Sequence, residues 1–256
     1  MPEPAAFPGP VDERRHLAPP DPAWLESWSL DFLHGNADLA GSFELVLAPA
    51  ANVAAFHAAV VGRERNLVSL AETAAAIPAA PGLELRAPGL WAEIGIQTPF
   101  EHVTVDIEAF AVELDDPDDV FGRAYGRRVA LGSDLEWERA ADVTDLSHGG
   151  GLDGYAVPNR VHGELLVGTD AYEIDGWGWR SHRWGLSIDN SSGIVRGRGP
   201  GEAWWHEPFA DGTEGVLVAR APIAHRIGPH VAALEQRLVA GADGDRLGWA
   251  RWPLDS

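Results

Sequence analysis

The sequence predicts an all-β protein made of two β domains, and three observations carry that prediction. From Asp21 onward, apolar and polar residues alternate in short runs broken by Gly, Pro, Asp or Asn, the pattern of a sandwich or barrel. Helical periodicity occurs in one place only. A glycine-rich, aperiodic stretch, HGGGLDG at 148–154, separates the runs into two groups.

Taken in order, the strand runs are Trp24 to Leu33, Gly41 to Leu47, Val53 to Val61, Leu67 to Glu72, Leu83 to Ala87, Leu90 to Gln97, His102 to Leu114 and Arg127 to Glu138. After the glycines they resume as Val161 to Val167, Tyr172 to Trp184 and Val216 to Ala221. Val231, Leu234 and Leu238 recur at helical spacing after Pro229, which predicts a short C-terminal helix over 231–239. DDPDDV at 115–120 reads as a charged turn, because it lacks the glycine and terminal glutamate of a helical calcium loop. These runs divide the chain into a mobile, Pro-rich lead-in (1–22), an N-terminal domain (23–147), a linker (148–158) and a C-terminal domain (159–256).

Composition removes whole classes of chemistry. With 256 residues and 45% hydrophobic content the chain can bury a real core. A formal charge of -20 repels phosphate backbones and anionic membrane surfaces, so neither nucleic acid nor a membrane is the expected partner. The absence of cysteine excludes disulfides, thiolate metal sites and a cysteine nucleophile, and all 19 basic residues are arginine, which excludes Schiff-base chemistry. No apolar stretch resembles a signal-peptide core or a run of about 20 residues that would span a bilayer, so a cytoplasmic protein is expected.

Several motifs fail on context. His148 to Gly151 resembles a lipase oxyanion loop, but the nucleophile elbow it serves is missing. Gly197, Gly199 and Gly201 do not open an apolar helix, so they read as a turn and not as a dinucleotide fingerprint. A metal site would need histidines gathered from distant strands, such as His102, His162 and His182; the expectation is no metal and no cofactor.

The densest chemistry lies in DGWGWRSHRWG at 175–185. On one strand, Tyr172, Ile174, Arg180, His182 and Trp184 share a face, while Asp175, Trp177, Trp179, Ser181 and Arg183 share the other. Gly176 and Gly178 leave the first face bare, as a bulge or the close approach of a ligand or another backbone requires. Arg180, roughly 7 Å from His182 along the strand, favours the neutral imidazole, a base or hydrogen-bond partner, unless a carboxylate reverses the balance. Asp175 is the local carboxylate, and only a bulge would bring it to the histidine. The indoles of Trp177, Trp179 and Trp184 suit the walls of an apolar pocket. A second candidate is the face of His102, Thr104, Asp106 and Glu108 in 102–114, either a wet outer face or one that turns His102 and a carboxylate to a polar lumen, and Glu136 in LGSDLEW has the same status.

GELLVGTDAYEIDGWGWRSHRWG resembles the segment around the RDHSWG core of the hydroxyneurosporene synthase and carotenoid 1,2-hydratase-like superfamily, and WLESWSLDF, GLWAE, PFEHVTVDIEAFAVELDDPDD and GRRVALGSDLEWE resemble its actinobacterial branch. That resemblance implies two tandem lipocalin-like β-barrels with a pocket for a hydrophobic molecule, and acid-catalysed hydration or cyclisation of an isoprenoid double bond. Arg180, His182 and Trp184 fall on matching positions. Ser181 and Arg183 stand where the motif has Asp and Ser, which removes a carboxylate beside the imidazole and adds a cation.

The expected function is therefore binding of an isoprenoid or lipid-like molecule in a tryptophan-lined pocket, with acid–base hydration or cyclisation. His182, Arg180 and Asp175 are the catalytic candidates, and Trp184, Trp177, Trp179, His102, Glu136 and Tyr172 the binding ones. One alternative is a carrier that forms no product; another is a carbohydrate-binding domain presenting Trp177, Trp179, Trp204 and Trp205 as an exposed row.

Overall fold

The computed structural model describes residues 8–35, 38–147, 152–186, 194–198, 204–208, 215–227, 230–241 and 247–254. Strands β1 (Trp24–His34), β2 (Leu39–Ala48), β3 (Val53–Val61) and β4 (Leu67–Ala76) form an antiparallel meander. They are followed by β5 (Glu84–Ala87), β6 (Leu90–Thr98), β7 (His102–Leu114), β8 (Arg127–Arg139), the short β9 (Thr144–Asp145) and a long hairpin of β10 (Leu152–Val167) and β11 (Asp170–Leu186). Because β11 pairs with β1 and the start of β4 pairs with the end of β7, the order β1-β2-β3-β4-β7-β8-β10-β11 closes into an eight-stranded ring. This is an all-β, lipocalin-like barrel.

Alternation explains the interior. Trp28, Leu30 and Phe32 of β1 point inward with Phe43, Leu45 and Leu47 of β2, and meet Val103, Val105 and Ile107 of β7. Trp137 is fully buried, and its Nε1 donates to the Asp31 carbonyl at 2.9 Å, which removes the cost of an unpaired indole N–H.

The second sheet comprises β12 (Ile194–Arg198), β13 (Trp204–Pro208), β14 (Gly215–Arg220), β15 (Ile223–Ile227), β16 (His230–Gly241) and β17 (Leu247–Pro253), in the order β13-β12-β17-β16-β14 with β15 also on β16. It covers the barrel's outer wall: Leu33, Ala40, Ala59, Val61 and Leu67 meet Ala221, Leu238 and Trp249, and Leu25, Val46 and Ala55 meet Ile227. β1 and β2 are therefore buried on both faces, a pattern unlike the half-wet β7 and β8.

Three expectations change here. Residues 152–158, expected in a linker, are the first half of β10, and β10 and β11 complete the first sheet, so the sheets part after Leu186 and not near 150; residues 148–151 lie outside the described set. The predicted helix is β16, because Leu234 and Leu238, four apart, share a face in a strand as well as in a helix, and pairing with β14, β15 and β17 decides between them. The lead-in expected to be mobile is docked from Pro8 onward: Glu13 is 1% exposed, and Arg15 NH1 donates to the Pro78 carbonyl at 2.7 Å.

Glu235 ties the second sheet together. Its carboxylate accepts from Arg220 Nε and NH2 at 2.7 and 2.8 Å and from Arg237 Nε at 2.8 Å, while Arg220 also reaches Asp118 at 2.8 Å in the turn Pro117–Phe121. Burial would raise the Glu235 carboxyl, but these guanidinium hydrogen bonds outweigh it and hold the group below its ordinary 4.5. A carboxylate depressed on folding stabilises above its unfolded value and loses that contribution as pH falls through the folded one. Thermal melts should therefore show stability falling below about pH 4.5, with a shallower acid limb in Glu235→Gln.

Candidate functional site

The face assignment of β11 is settled by its partners. Trp28 pairs with His182, Leu30 with Arg180 and Glu26 with Trp184 across β1, and Tyr155 pairs with His182 across β10, so Arg180, His182 and Trp184 all face the barrel interior near one mouth. Gly176 and Gly178 answer to a close backbone: a Cβ on them would lie 2.0 Å from the Leu33 carbonyl oxygen and 1.8 Å from that of Asp31. No register shift interrupts β10–β11 or β1–β11, so there is no bulge to carry Asp175 round.

The carboxylate beside His182 is Glu26 instead. His182 is 1% exposed, with Nε2 at 2.9 Å from Glu26 Oε1 and Nδ1 at 2.8 Å from the Asp12 carbonyl oxygen. Glu26 Oε1 also accepts from the His16 backbone N–H at 2.9 Å and meets His16 Nδ1 at 2.8 Å. Both rings are clamped by indoles: His16 stacks on Trp184 at 3.8 Å between centroids, and His182 on Trp28 at 4.3 Å. Burial lowers the His182 pKa, with Glu26 opposing; burial raises Glu26, but its hydrogen bonds from His16 and His182 outweigh that and leave it below the usual carboxylate range.

Beside this cluster, Arg180 NH2 sits 2.8 Å from Glu13 Oε1, both buried, and the same oxygen accepts the Phe100 N–H at 2.8 Å. Burial, with the Glu13 charge adding to it, pushes the Tyr155 phenol well above its ordinary pKa. The lead-in thus plugs the mouth: Asp12, Glu13 and His16 each satisfy a polar group that the strands leave on the inner face.

The other predicted residues do not converge on His182. Asp175 is exposed and paired with Arg160 at 3.0 Å. Trp179 is 2% exposed, packed with Leu146 and Ala156 on the outer face, so it cannot belong to an exposed row of indoles; Trp177, on the same face, packs partly against the second sheet. The side chains of Trp204 and Trp205 lie outside the described set. Tyr172 lies ten positions along β11 from His182, roughly 30 Å at strand rise, and accepts from Arg65 NH2 at 2.9 Å. His102 and Glu136 meet at 2.6 Å on the wet outer surface, while Val103, Val105 and Trp137 take the inner face, so the polar-lumen reading of this pair fails.

Sequence reasoning missed a cavity. Between the barrel wall and the second sheet lies a cleft of about 290 Å³, with apolar walls that include Leu70, Phe110, Val120 and Ile223. Ser29, Glu44 and His57 also line it, and they are cross-strand neighbours in one row of β1, β2 and β3. Arg251 of β17 closes the row from the opposite sheet, its NH2 donating to Glu44 Oε2 at 2.6 Å. The signal was present in GSFELVLA and VAAFHAAV, where a single ionisable residue interrupts a run otherwise free of charge.

A family model described as "Domain of unknown function (DUF7064)" matches residues 9–206. The chain belongs to the DUF7064 family. In this DUF7064 member the matched span takes in the plug residues Asp12, Glu13 and His16 as well as the closed barrel. A crystal structure from Nitrosomonas europaea, provisionally named AttH, is similar over 98% of this chain and 96% of that one, at 9% identity and a TM-score of 0.52, a likeness of fold. CghA aligns over 91% of this chain and 88% of its own at 10% identity and a TM-score of 0.44, and CghA with Sch210972 over 91% and 89% at 9% and 0.48. No curated protein matches the sequence significantly.

Proposed function

We propose that this DUF7064 protein binds a small, largely apolar molecule bearing one polar group in the cleft between its two sheets. The observation that carries this reading is the cleft itself: about 290 Å³, at the junction of two sheets, with apolar walls and convergent polar groups from Ser29, Glu44, His57 and Arg251. Ligand sites combine those features, the walls supplying affinity and the few polar groups orientation. An isoprenoid or other lipid-like molecule fits the apolar walls. His182 takes no part in contacting this ligand, since it is buried among the lead-in, Trp28 and Tyr155.

Ala71 lies at the exposed rim of the cleft, so Ala71→Trp should obstruct entry without disturbing the core. Titration with cis-parinaric acid and retinol, followed by fluorescence, should give saturable one-to-one binding to the wild type and at least a tenfold weaker affinity in Ala71→Trp. Equal affinity in the two proteins would place the ligand elsewhere. A second reading rests on the shared row of Glu44 and His57, since an imidazole and a carboxylate facing one cavity can exchange a proton with a bound alkene. It predicts that His57→Ala abolishes hydration or cyclisation while binding persists; a carrier would form no product in either protein.

A further inference from the structure

We propose that His16, Glu26 and His182 form a site for a divalent transition-metal ion of the zinc class, and that the ion fastens the N-terminal segment into the barrel mouth. The three residues come from separate elements: His16 from the lead-in, Glu26 from β1 and His182 from β11. One donor atom from each lies within 4.8 Å of the other two, and Glu26 and His182 are each 1% exposed. Metal bonds of about 2.0–2.1 Å place tetrahedral donors roughly 3.3 Å apart, so the present contacts of 2.8 and 2.9 Å need to open by only a few tenths of an ångström.

The second nitrogen of the His182 ring strengthens the assignment. A metal-bound histidine typically gives its remaining N–H to a carbonyl or carboxylate, which fixes the tautomer that offers the ligating lone pair. His182 Nδ1 faces the Asp12 carbonyl oxygen at 2.8 Å, which orients that ring and leaves Nε2 toward Glu26. His16 presents Nδ1 to Glu26, with its Nε2 3.6 Å from Asp12 Oδ1, beyond hydrogen-bond reach. With Nδ1 directed at the Asp12 carbonyl, the Nε2 that now hydrogen-bonds Glu26 is the nitrogen placed to ligate, and an ion bound there takes the place of its proton.

Charge points the same way. Of the buried charges, Glu13 is paired with Arg180, which leaves the Glu26 carboxylate facing only the two imidazoles. A divalent ion would compensate it in a region where uncompensated charge is costly. Nitrogen and oxygen donors without a thiolate suit Zn²⁺ and Co²⁺ better than Ca²⁺ or Mg²⁺. Trp184 and Trp28 stack on the ligating rings and hold them in place.

The half-buried His102–Glu136 and His162–Glu138 pairs on the outer face are the competing site, at 2.6 and 3.5 Å. The full-length protein, stripped with chelator and confirmed folded by circular dichroism, should bind one Zn²⁺ per chain by calorimetry, and Co²⁺ should give the visible absorption of a four- or five-coordinate nitrogen–oxygen site. His16→Gln and Glu26→Gln should weaken Zn²⁺ binding at least 100-fold, while His102→Gln/His162→Gln leaves it unchanged. Zn²⁺ should also slow tryptic cleavage after exposed Arg14 at least tenfold in the wild type but not in His16→Gln, a readout that bulk stability alone does not produce. Failure of the folded wild type to bind Zn²⁺, or binding that survives in His16→Gln and disappears in the surface double variant, overturns the proposal.

Discussion

Gly178→Ala should severely destabilise the folded protein. The added Cβ would lie 1.8 Å from the Asp31 carbonyl oxygen and 3.0 Å from the Phe32 Cα, and both are backbone atoms of the strand to which β11 is paired. A flexible side chain could swing aside; a paired backbone cannot. Relief requires prying β11 from β1, which opens the barrel ring at the seam between Leu30↔Arg180 and Leu33↔Trp177. Overpacking of an ordinary core costs about 1–3 kcal/mol, and a collision with backbone on the ring seam should exceed about 4 kcal/mol. Gly132→Ala is the control, because its nearest neighbour is the Leu166 Cβ at 3.3 Å and Leu166 is 38% exposed and able to yield. Urea unfolding of the two variants should separate them by several kcal/mol; similar stabilities would show that β11 does not hold β1 at this distance.

Glu13→Ala should be the most damaging change outside the strands. It strips the partner from Arg180, which is 5% exposed, and the acceptor from the Phe100 N–H. Breaking a buried ion pair from one side costs about 3–5 kcal/mol, most of it the burden of the charge left behind. The double variant Glu13→Gln/Arg180→Met should recover a large part of the loss, since no charge then remains buried. Additive single and double effects in a mutant cycle measured by thermal unfolding would mean that the two groups do not interact.

Much of the barrel is legible from alternation. The limits of β3 and β7 coincide with the apolar runs, and β1, β2, β6, β8 and β14 differ from theirs by one to a few residues. Later elements were harder to read because their pattern is ambiguous. Leu234 and Leu238 share a face in both a helix and a strand, and β12, β13, β15 and β17 are short runs with no clear period of their own.

That Arg180, His182 and Trp184 share one face followed from parity along β11, but that this face points inward, and which partners meet it, did not. Asp175 was the nearest carboxylate in sequence, yet a strand without a bulge keeps odd and even side chains apart, and Glu26 and Glu13 arrive from β1 and the lead-in. A trace of Glu26 was visible in WLESW, where a carboxylate shares one face with Trp24 and Trp28.

By itself, then, the sequence determined the all-β class, the positions of the early strands, which residues share a face with His182 and the chemistry that cannot occur without cysteine or lysine. Those properties are local or compositional, set by a two-residue period and by which atoms are present. Tertiary structure alone decided that the β10–β11 hairpin closes the first ring, that the Pro-rich lead-in seals its mouth, and that Ser29, Glu44 and His57 line a cleft beneath the second sheet. Each depends on contacts between segments far apart in the chain, where register and packing select one partner among many of suitable local pattern.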